Sequence, residues 1–395
     1  MKTKVAVLFG GKSVEHEVSI ISGLQAFAAL DRTKYAPLPL YIAKDNRLYT
    51  GPHMGDIAAY RDLPRCLAEA TRVLLSPATG GGVELLRDPP RRFGGNTVGR
   101  FEVAIPVVHG TNAEDGTLMG MLEMLGVPYA ASDVTSSAAG MDKWLMKAAL
   151  RAAGLPVLDA LIVTGRRYAL EGEAVMNETE ERFGYPVIVK PVNLGSSVGI
   201  SRANDRAGLA AAMDTAAAYS PRFLVEPAIE QLREINCAVL GDGETAEASV
   251  CEEPVGADEI LSYRDKYLGG GKGSKHPEGM NGLKRRCPAD LPAGLAEQVR
   301  RLAVDTFQAL HCCGVARVDF LNDLATGQIW VNEINTIPGS LAFYLWEASG
   351  IPFHQLLDRM IALAFKRQRE REALTFSYDS NLLSGVVLGA KTGKV

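Results

Sequence analysis

The architecture of this chain is most easily inferred from RVDF at residues 317–320 and NEINTIPG at residues 332–339. Alternate side chains of a strand point to the same face, so Arg317 shares a face with Asp319, and Glu333 with Asn335. The turn-forming residues 322–327, NDLATG, predict a hairpin between the two strands. Such a hairpin gathers two carboxylates, an amide oxygen and a guanidinium over an apolar underside. Oxygen ligands of this kind suit Mg²⁺, with a hairpin that merely has one solvated polar face as the alternative.

The composition is that of a globular protein with a substantial core. Of the 395 residues, 47% are hydrophobic and 22% are charged, and this length allows two or three domains. The formal net charge is -4, so neither nucleic acid nor an anionic membrane surface is expected as the main partner.

The six cysteines show no spacing typical of a zinc site or a disulfide framework, which indicates a reduced, cytoplasmic protein. The first apolar run, residues 5–9, ends at Gly10 and is too short for a signal peptide. No later stretch has the length and hydrophobicity needed to cross a bilayer, so no membrane association is expected.

Changes of pattern along the chain predict three units and a tail. Residues 5–9, VAVLF, precede two glycines and then a helical pattern, which is typical of a βαβ domain with a parallel sheet. Residues 50–100 are rich in Gly, Pro and Arg, and we interpret them as connecting, peripheral structure. The predicted units are 1–141, 142–231 and 232–367, followed by a tail at 368–395. The predicted fold class is α/β, with α+β lobes after the first unit.

A second motif, KPVNLGSSVG at residues 190–199, has the composition of a phosphate-binding loop. Its glycines allow backbone N–H groups to approach an anion closely, and Lys190 adds a point charge at the end of a strand. The motif is neither a Walker loop nor a dinucleotide-binding turn. A plain Gly/Ser turn is the alternative for this loop taken alone.

Further candidates stand where α/β proteins bind ligands. His109 and Glu114 lie in a loop after an apolar strand, and Glu15 occupies the corresponding place after the first strand. Glu15 could hold a ligand ammonium group or simply stabilise a helix N-terminus. Residues 262–273, SYRDKYLGGGKG, could be a lid with glycine hinges or an ordinary loop. Lys143 and Glu234 could contact a nucleotide, but each taken singly is better explained as a solvated charge.

In combination, these residues resemble the D-alanine–D-alanine ligases of the ATP-grasp superfamily. The motifs that carry the resemblance occur in the family's order and span residues 4 to 365. They are FGGKSVEHEVSIISG (9–23), VVHGTNAEDGT (107–117), MDK (141–143), VIVKPVNLGSSVGIS (187–201), RDKYLGG (264–270), ARVDFL (316–321) and VNEINTIPGS (331–340).

The resemblance implies an ATP-grasp fold in which ATP lies between the second and third units. Two divalent ions, Mg²⁺ or Mn²⁺, would be held by Asp319, Glu333 and Asn335. Glu226 and the backbone after it would bind adenine, and Glu234 the ribose. The residues implied in ATP binding are Lys143, Lys190, Ser197, Glu226, Ile229 and Glu234.

The implied reaction joins two D-alanines through an acyl phosphate, giving D-alanyl-D-alanine for peptidoglycan. Glu15 would hold the ammonium of the first D-alanine, with His109 and Glu114 beside it. Arg317 and the backbone of Gly339 would stabilise oxyanion charge. The family also implies a homodimer.

The glycine loop and the lid would complete the implied catalytic set. Ser196 would connect the loop to Glu15 and, through Tyr267, to the lid. Lys266 would lie over the transferred phosphoryl group. By analogy with the family, Tyr267 favours an amine acceptor over D-lactate.

The chain departs from the family's pattern in two segments and at one single position. After Gly339 the sequence runs directly into SLAFYLW, so Ser340 and Leu341 are the candidates for binding the second substrate's carboxylate. Residues 268–286 of the lid region also differ, and Pro227 replaces a lysine that contacts adenine in the family. A dipeptide or depsipeptide ligase with another acceptor, such as D-serine or D-lactate, is therefore the alternative function. An ATP-binding regulatory or scaffold protein with an inactive site is the alternative from another class.

Overall fold

The computed structural model describes residues 2–195, 198–255, 285–377, 380–381 and 384, and its strands form three sheets. Each sheet lies within one of the three predicted units, whose boundaries remain a prediction. No helix in the described part of the chain is long and apolar enough to span a membrane.

The first sheet combines parallel and antiparallel strands. Its seven strands are β1 (Thr3–Gly10), β2 (Tyr35–Ile42), β3 (Leu48–Thr50), β4 (Thr71–Pro77), β5 (Val83–Arg87), β6 (Thr97–Phe101) and β7 (Val103–Val107). They are ordered β6-β5-β4-β3-β2-β1-β7, and β1 runs parallel to β2 and β7 while the other pairs are antiparallel. The predicted N-terminal βαβ unit with parallel strands is confirmed.

The interpretation of residues 50–100 as merely connecting structure is wrong, because β4, β5 and β6 extend this sheet. In β4 only Val73 is fully buried. A strand with so little buried surface shows weak hydrophobic alternation, and the pattern therefore did not reveal it. Strand β1, which lies between its two parallel neighbours, is the opposite case, since its residues 5–9 are all completely buried.

The α-helices of the first unit are α1 (His16–Ala29), α2 (Leu63–Glu69), α3 (Thr117–Met124) and α4 (Val134–Met141). Helix α1 begins at His16, after residues 12–15 that follow the glycine turn at the end of β1, and packs against β1. The loop after β7 precedes α3, so both loops open at the carboxyl ends of neighbouring parallel strands.

The second sheet has four strands and is covered by helices. Its strands are β8 (Leu161–Thr164), β9 (Val187–Pro191), β10 (Ser201–Ala203) and β11 (Arg222–Pro227), in the order β10-β9-β11-β8. Helices α6 (Gly165–Phe183) and α7 (Arg206–Tyr219) cover it, whereas α5 (Lys143–Ala152) buries Met146 and Leu150 in the core of the third sheet. Asp142 caps α5 by accepting hydrogen bonds from the backbone N–H groups of Trp144 and Leu145, which fixes where Lys143 begins the helix.

The third sheet is antiparallel and contains the predicted hairpin. Its strands are β12 (Leu232–Gly241), β13 (Ala246–Pro254), β14 (Arg285–Arg286), β15 (Gly314–Asp323) and β16 (Ile329–Asn335), in the order β14-β13-β12-β15-β16. Helix α8 (Ala293–Ala309) packs on its apolar underside. The hairpin of β15 and β16, joined at residues 324–328, is confirmed.

The last two α-helices in the described part of the chain are α9 (Phe343–Ala348) and α10 (Phe353–Glu372). Both contribute to the core of the first unit: Trp346 and Leu357 are buried in the same cluster as β1. The third unit is thus packed against the first, so the loops of the first sheet can meet the polar face of the third.

Candidate active site

The polar residues of the hairpin face the same side, as the sequence predicts. Asp319 pairs with Glu333, and Arg317 pairs with Asn335. A β-bulge separates Asp319/Glu333 from the next pair, Phe320/Val331. The additional residue, Asn332, lets Val331 join the core while Glu333 stays on the polar face.

Arg317 is held rigidly on this face. Its Nε and Nη2 atoms donate to the two carboxylate oxygens of Asp319, each at 2.6 Å. The Asn335 amide donates to Asp319 Oδ2 at 3.2 Å. Burial raises the pKa of Asp319, and the nearby Glu333 carboxylate raises it further, while Arg317 opposes both. Burial disfavours the Arg317 charge, but the contact with Asp319 outweighs it and raises the pKa of Arg317.

The donor set of this face fits a hard divalent ion. Asp319 and Glu333 are directly opposite each other, and Asn335 adds an amide oxygen on the same face. Two carboxylates this close repel, and a cation between them would remove that cost. Among the described residues, no three His, Cys, Asp or Glu side chains are grouped to hold a metal. A Mg²⁺ ion here would therefore complete its shell with amide, water and phosphate oxygens.

Lys143 connects the second unit to this face. It is 5% exposed, its Nζ lies 3.2 Å from Glu333 Oε2, and it donates to the backbone carbonyl of Leu194 at 2.9 Å. Leu194 directly precedes the glycine loop. The structure thus brings Lys143, the loop and Glu333 together, as the resemblance implies.

Lys190 belongs to a buried group of charges that the sequence did not reveal. Glu226 forms ion pairs with Lys190 and with Lys147, whose Nζ is 3.1 Å from Glu226 Oε2. Lys190 also donates to Asn332 Oδ1 at 3.1 Å, which connects the second sheet to the bulge of the third. Lys147 lies one helical turn after Lys143, and this spacing was the one sequence feature that could have indicated that the two lysines share a helix face.

The pKa shifts of this group follow from burial and pairing. Burial lowers the pKa of Lys190. Burial alone would raise the pKa of Glu226, but Lys147 and Lys190 outweigh it and lower that pKa. The Glu226 side chain is therefore committed to two lysines, and the nucleotide contact predicted for this position would have to come from the backbone.

The loops of the first sheet converge on the same place. Glu15 is 8% exposed, and a Cβ placed on Gly110 or Gly195 would lie 3.1 Å or 3.6 Å from its Oε2. Glycine at both positions lets the Glu15 carboxylate approach the glycine loop. Glu114 accepts a hydrogen bond from the Gly110 backbone at 2.7 Å. Burial and the neighbouring Glu15 raise the pKa of Glu114 to about 8.

His109 joins the first unit to the third. Its Nδ1 lies 2.8 Å from the Ile337 carbonyl, and its Nε2 lies 3.0 Å from Ser22 Oγ. Burial lowers the pKa of His109, which favours the neutral ring. Ser22 Oγ also accepts the Ser340 backbone N–H at 2.9 Å. Ser22 is a connecting residue that sequence reasoning missed.

The segment after Pro338 adopts an unusual backbone. Ser340, Leu341 and Ala342 have φ values of 51°, 54° and 51°, which are left-handed and costly for residues other than glycine. Ser340 Oγ donates to Gln25 Oε1 at 2.6 Å, and Leu341 is buried in the core of the first unit. Both Ser340 donors therefore have partners in α1. Its predicted contact with a substrate carboxylate remains a prediction.

For the other predicted residues, the structure gives a position in the fold but fewer contacts. Glu234 lies on the polar face of β12, two residues from Asn236, and Ile229 lies in the connection between the second and third sheets. Gly339 precedes the left-handed segment. Four predicted residues lie outside the described residues: Ser196, Ser197, Lys266 and Tyr267.

Comparison with known proteins gives one family over almost the whole chain. Residues 4–132 match the model of the D-ala D-ala ligase N-terminus, and residues 149–362 match that of the D-ala D-ala ligase C-terminus. A D-alanine--D-alanine ligase of Caldicellulosiruptor bescii is 38% identical over 384 residues, covering 95% of this chain and 99% of that protein. One from Solibacter usitatus is 35% identical over 381 residues, covering 95% and 100%.

Solved structures agree. The D-alanine-D-alanine ligase of Coxiella burnetii has a TM-score of 0.76 and 32% identity, covering 94% of this chain and 96% of that one. The VanG D-Ala:D-Ser ligase of Enterococcus faecalis has a TM-score of 0.75 and 28% identity, covering 92% and 100%.

Proposed function

Because the chain belongs to the D-alanine–D-alanine ligase family, we propose that it joins two D-alanines at the expense of ATP. The observation that carries this proposal is the convergence of three elements on one place. Glu15 from the first unit, Lys143 from the second and the Arg317–Asp319–Glu333 face of the third surround a single site. Such an arrangement suits a reaction whose catalysis is mainly positioning and charge stabilisation.

In the first step, the carboxylate of one D-alanine attacks the γ-phosphorus of ATP. An O–P bond forms between the carboxylate and the γ-phosphorus, and the bond from that phosphorus to the β-phosphate oxygen breaks. ADP departs, and the product that remains is an acyl phosphate. Glu15 holds the ammonium of this D-alanine, while Lys143 and Lys190 offset phosphate charge. Two divalent ions, Mg²⁺ or Mn²⁺, held by Asp319, Glu333 and Asn335, would supply further charge neutralisation when bound.

In the second step, the amine of another D-alanine attacks the acyl carbon. A C–N bond forms and the nitrogen gives up a proton. The C–O bond to phosphate breaks, and inorganic phosphate leaves with the bonding electrons and takes up that proton. Arg317 and the Gly339 N–H stabilise the negative oxygen of the tetrahedral intermediate. The bidentate contact with Asp319 fixes the Arg317 guanidinium before substrate arrives, so little reorganisation is needed.

The product would be D-alanyl-D-alanine for peptidoglycan, made by a cytoplasmic homodimer. The localisation is supported by the six cysteines, all of which are free and none of which is exposed. The dimer is supported by the family resemblance alone.

A second candidate is a ligase of the same mechanism with another acceptor. It is supported by Ser340, whose backbone N–H and hydroxyl both have partners in α1. It is also supported by the likeness to the Enterococcus protein, which is named a D-Ala:D-Ser ligase.

The decisive experiment measures ADP release with Mg²⁺-ATP and D-alanine alone, with the product identified by mass. We expect D-alanyl-D-alanine as the dominant product. The assay is then repeated with D-serine, D-lactate and L-alanine as competing acceptors. Turnover that requires one of these acceptors would refute the first candidate and support the second. An absence of ATP consumption with every amino acid would refute both.

A further inference from the structure

A buried carboxylate that the mechanism leaves unused lies on the polar face of the third sheet. Glu252 in β13 pairs with Asn236 in β12. Asn236 in turn pairs with Asp319, which pairs with Glu333. Residues that pair across a sheet share a face, so these residues form one row that begins at Glu252. Glu252 is only 3% exposed.

One oxygen of Glu252 accepts two hydrogen bonds, whereas the other has only a long ion pair within the described part of the chain. Oε1 accepts hydrogen bonds from Asn236 Nδ2 at 3.1 Å and from the Tyr344 hydroxyl at 2.7 Å. Oε2 is buried and has no hydrogen-bond donor among the described residues, although Arg285 Nη1 lies 3.7 Å away. A buried carboxylate oxygen without a donor is costly, which points to a donor that arrives with a ligand.

Glu252 is close to the group that stabilises the reacting centre. The negative charge of Glu252 acts on the Arg317 guanidinium and favours its charged form. The residue of β12 opposite Arg317 is Ala238, whose short side chain does little to separate Arg317 from β13. Arg317 therefore has the metal-binding face on one side and Glu252 with Tyr344 on the other.

Residues from two of the departures from the family's sequence meet at this carboxylate. Tyr344 belongs to the altered segment after Gly339, and Arg285 belongs to the altered segment that ends at residue 286. The Arg285 guanidinium also lies 4.3 Å from the centre of the Tyr344 ring. The changes that place the acceptor in question are therefore physically one group of residues.

We propose that Glu252 determines acceptor specificity by binding the ammonium group of the acceptor through its Oε2 and accepting the proton that this group loses before its amine attacks. This inference rests on the proposed ligase function and deepens it: the acceptor is an amino acid, not a hydroxy acid. Tyr344 and Asn236 hold the carboxylate in place through Oε1, so Oε2 has no hydrogen-bond donor among the described residues and can accept one from the ligand. The Glu252 carboxylate attracts an ammonium group through a hydrogen bond and through opposite charge, whereas a neutral hydroxyl offers the hydrogen bond alone.

The experiment compares products in a competition between acceptors. The wild-type protein and Glu252→Gln receive Mg²⁺-ATP with equal concentrations of D-alanine and D-lactate, and dipeptide and depsipeptide are quantified by mass. We expect the dipeptide-to-depsipeptide ratio to fall about 10- to 100-fold in E252Q. ADP formation from the first D-alanine, measured with hydroxylamine to trap the acyl phosphate, should change far less. A role confined to folding would lower both products together.

Glu253→Gln is the matched control, because Glu253 is the next residue of β13 and pairs instead with Arg233 and Arg286. It should keep the wild-type ratio. If E252Q does not fold, Tyr344→Phe removes the hydroxyl that orients Oε1 and should lower the ratio several-fold.

An unchanged ratio in folded E252Q, or in Y344F if that variant replaces it, would overturn the assignment. A wild-type protein that makes no D-alanyl-D-alanine would instead refute the proposed substrate pair. The ratio of amine to hydroxyl products with its actual acceptors would then test Glu252 in the same variants.

Discussion

The buried ion group around Glu226 gives the most direct quantitative test of the architecture. Lys147, Glu226 and Lys190 are 1%, 2% and 3% exposed, and Lys147 Nζ lies 3.1 Å from Glu226 Oε2. At this distance and an effective dielectric constant of about 20, the attraction is about 5 kcal/mol. The desolvation that Lys147 no longer suffers offsets roughly half of this attraction. We therefore expect Lys147→Met to lower the free energy of unfolding by about 2 to 3 kcal/mol.

The assay is urea unfolding followed by fluorescence and circular dichroism. Lys44→Met is the matched control, because Lys44 makes a 2.8 Å ion pair with Glu17 but its side chain is 60% exposed. An exposed pair of this kind contributes less than about 1 kcal/mol. Equal unfolding midpoints for K147M and K44M would refute the reasoning.

A second readout separates stability from function. Without Lys147, Glu226 has Lys190 as its remaining partner in the ion group, and the total positive charge next to the glycine loop falls by one. The stronger neutralisation of Lys190 by Glu226 and the loss of one positive charge both weaken the attraction of this site for a triphosphate. The KM for ATP in K147M should therefore rise several-fold. The corresponding KM in K44M should stay at the wild-type value. A KM for ATP that does not move would show that Lys147 acts on folding alone.

Three further predictions test the rest of the site. Glu333→Gln should reduce Mg²⁺-dependent turnover at least about 100-fold, because it removes a charged metal ligand, and near-normal turnover would contradict the metal assignment. Ser22→Ala should destabilise the protein by about 1 to 3 kcal/mol in a thermal melt, because His109 and the Ser340 N–H lose a buried partner; an unchanged melting temperature would argue against this link. The pKa of Glu114 is raised from 4.5 to about 8, so its contribution to stability is present below pH 4.5 and is lost as the pH rises to 8. Glu114→Gln should therefore become progressively more stable relative to wild type between pH 5 and pH 8 in urea unfolding, and a pH-independent difference would disprove the shift.

Local pattern was sufficient for the hairpin and for the buried strand β1 of the first sheet. The turn residues 322–327 and the alternation around Asp319 required only the geometry of a strand, and both predictions are confirmed. The family was predicted from ordered motifs and is confirmed by matches to residues 4–132 and 149–362. These features depend on residues close together in sequence, which is where pattern is informative.

The features that were missed depend on distant contacts. Residues 71–101 form strands at one side of a sheet, where partial burial leaves little alternation. The bulge at Asn332 changes which residues of β16 face the core before and after it, and nothing in the local sequence indicates this change. Lys147 and Glu252 are charged residues whose burial is possible only because partners come from other elements. A single charged residue in a sequence is normally exposed, so their burial could not be predicted.

The distribution of the hydrogen bonds explains why the site itself is the least predictable part. His109 meets Ile337, Ser22 meets Ser340, Lys143 meets Glu333 and Lys190 meets Asn332. Each of these contacts joins two different units of the chain. The three sheets can therefore each be specified by local pattern, whereas the site exists only once they are packed together. This dependence also gives the fold a physical reason to bury charged and hydroxyl groups at the junctions, since a displaced unit would leave them without partners.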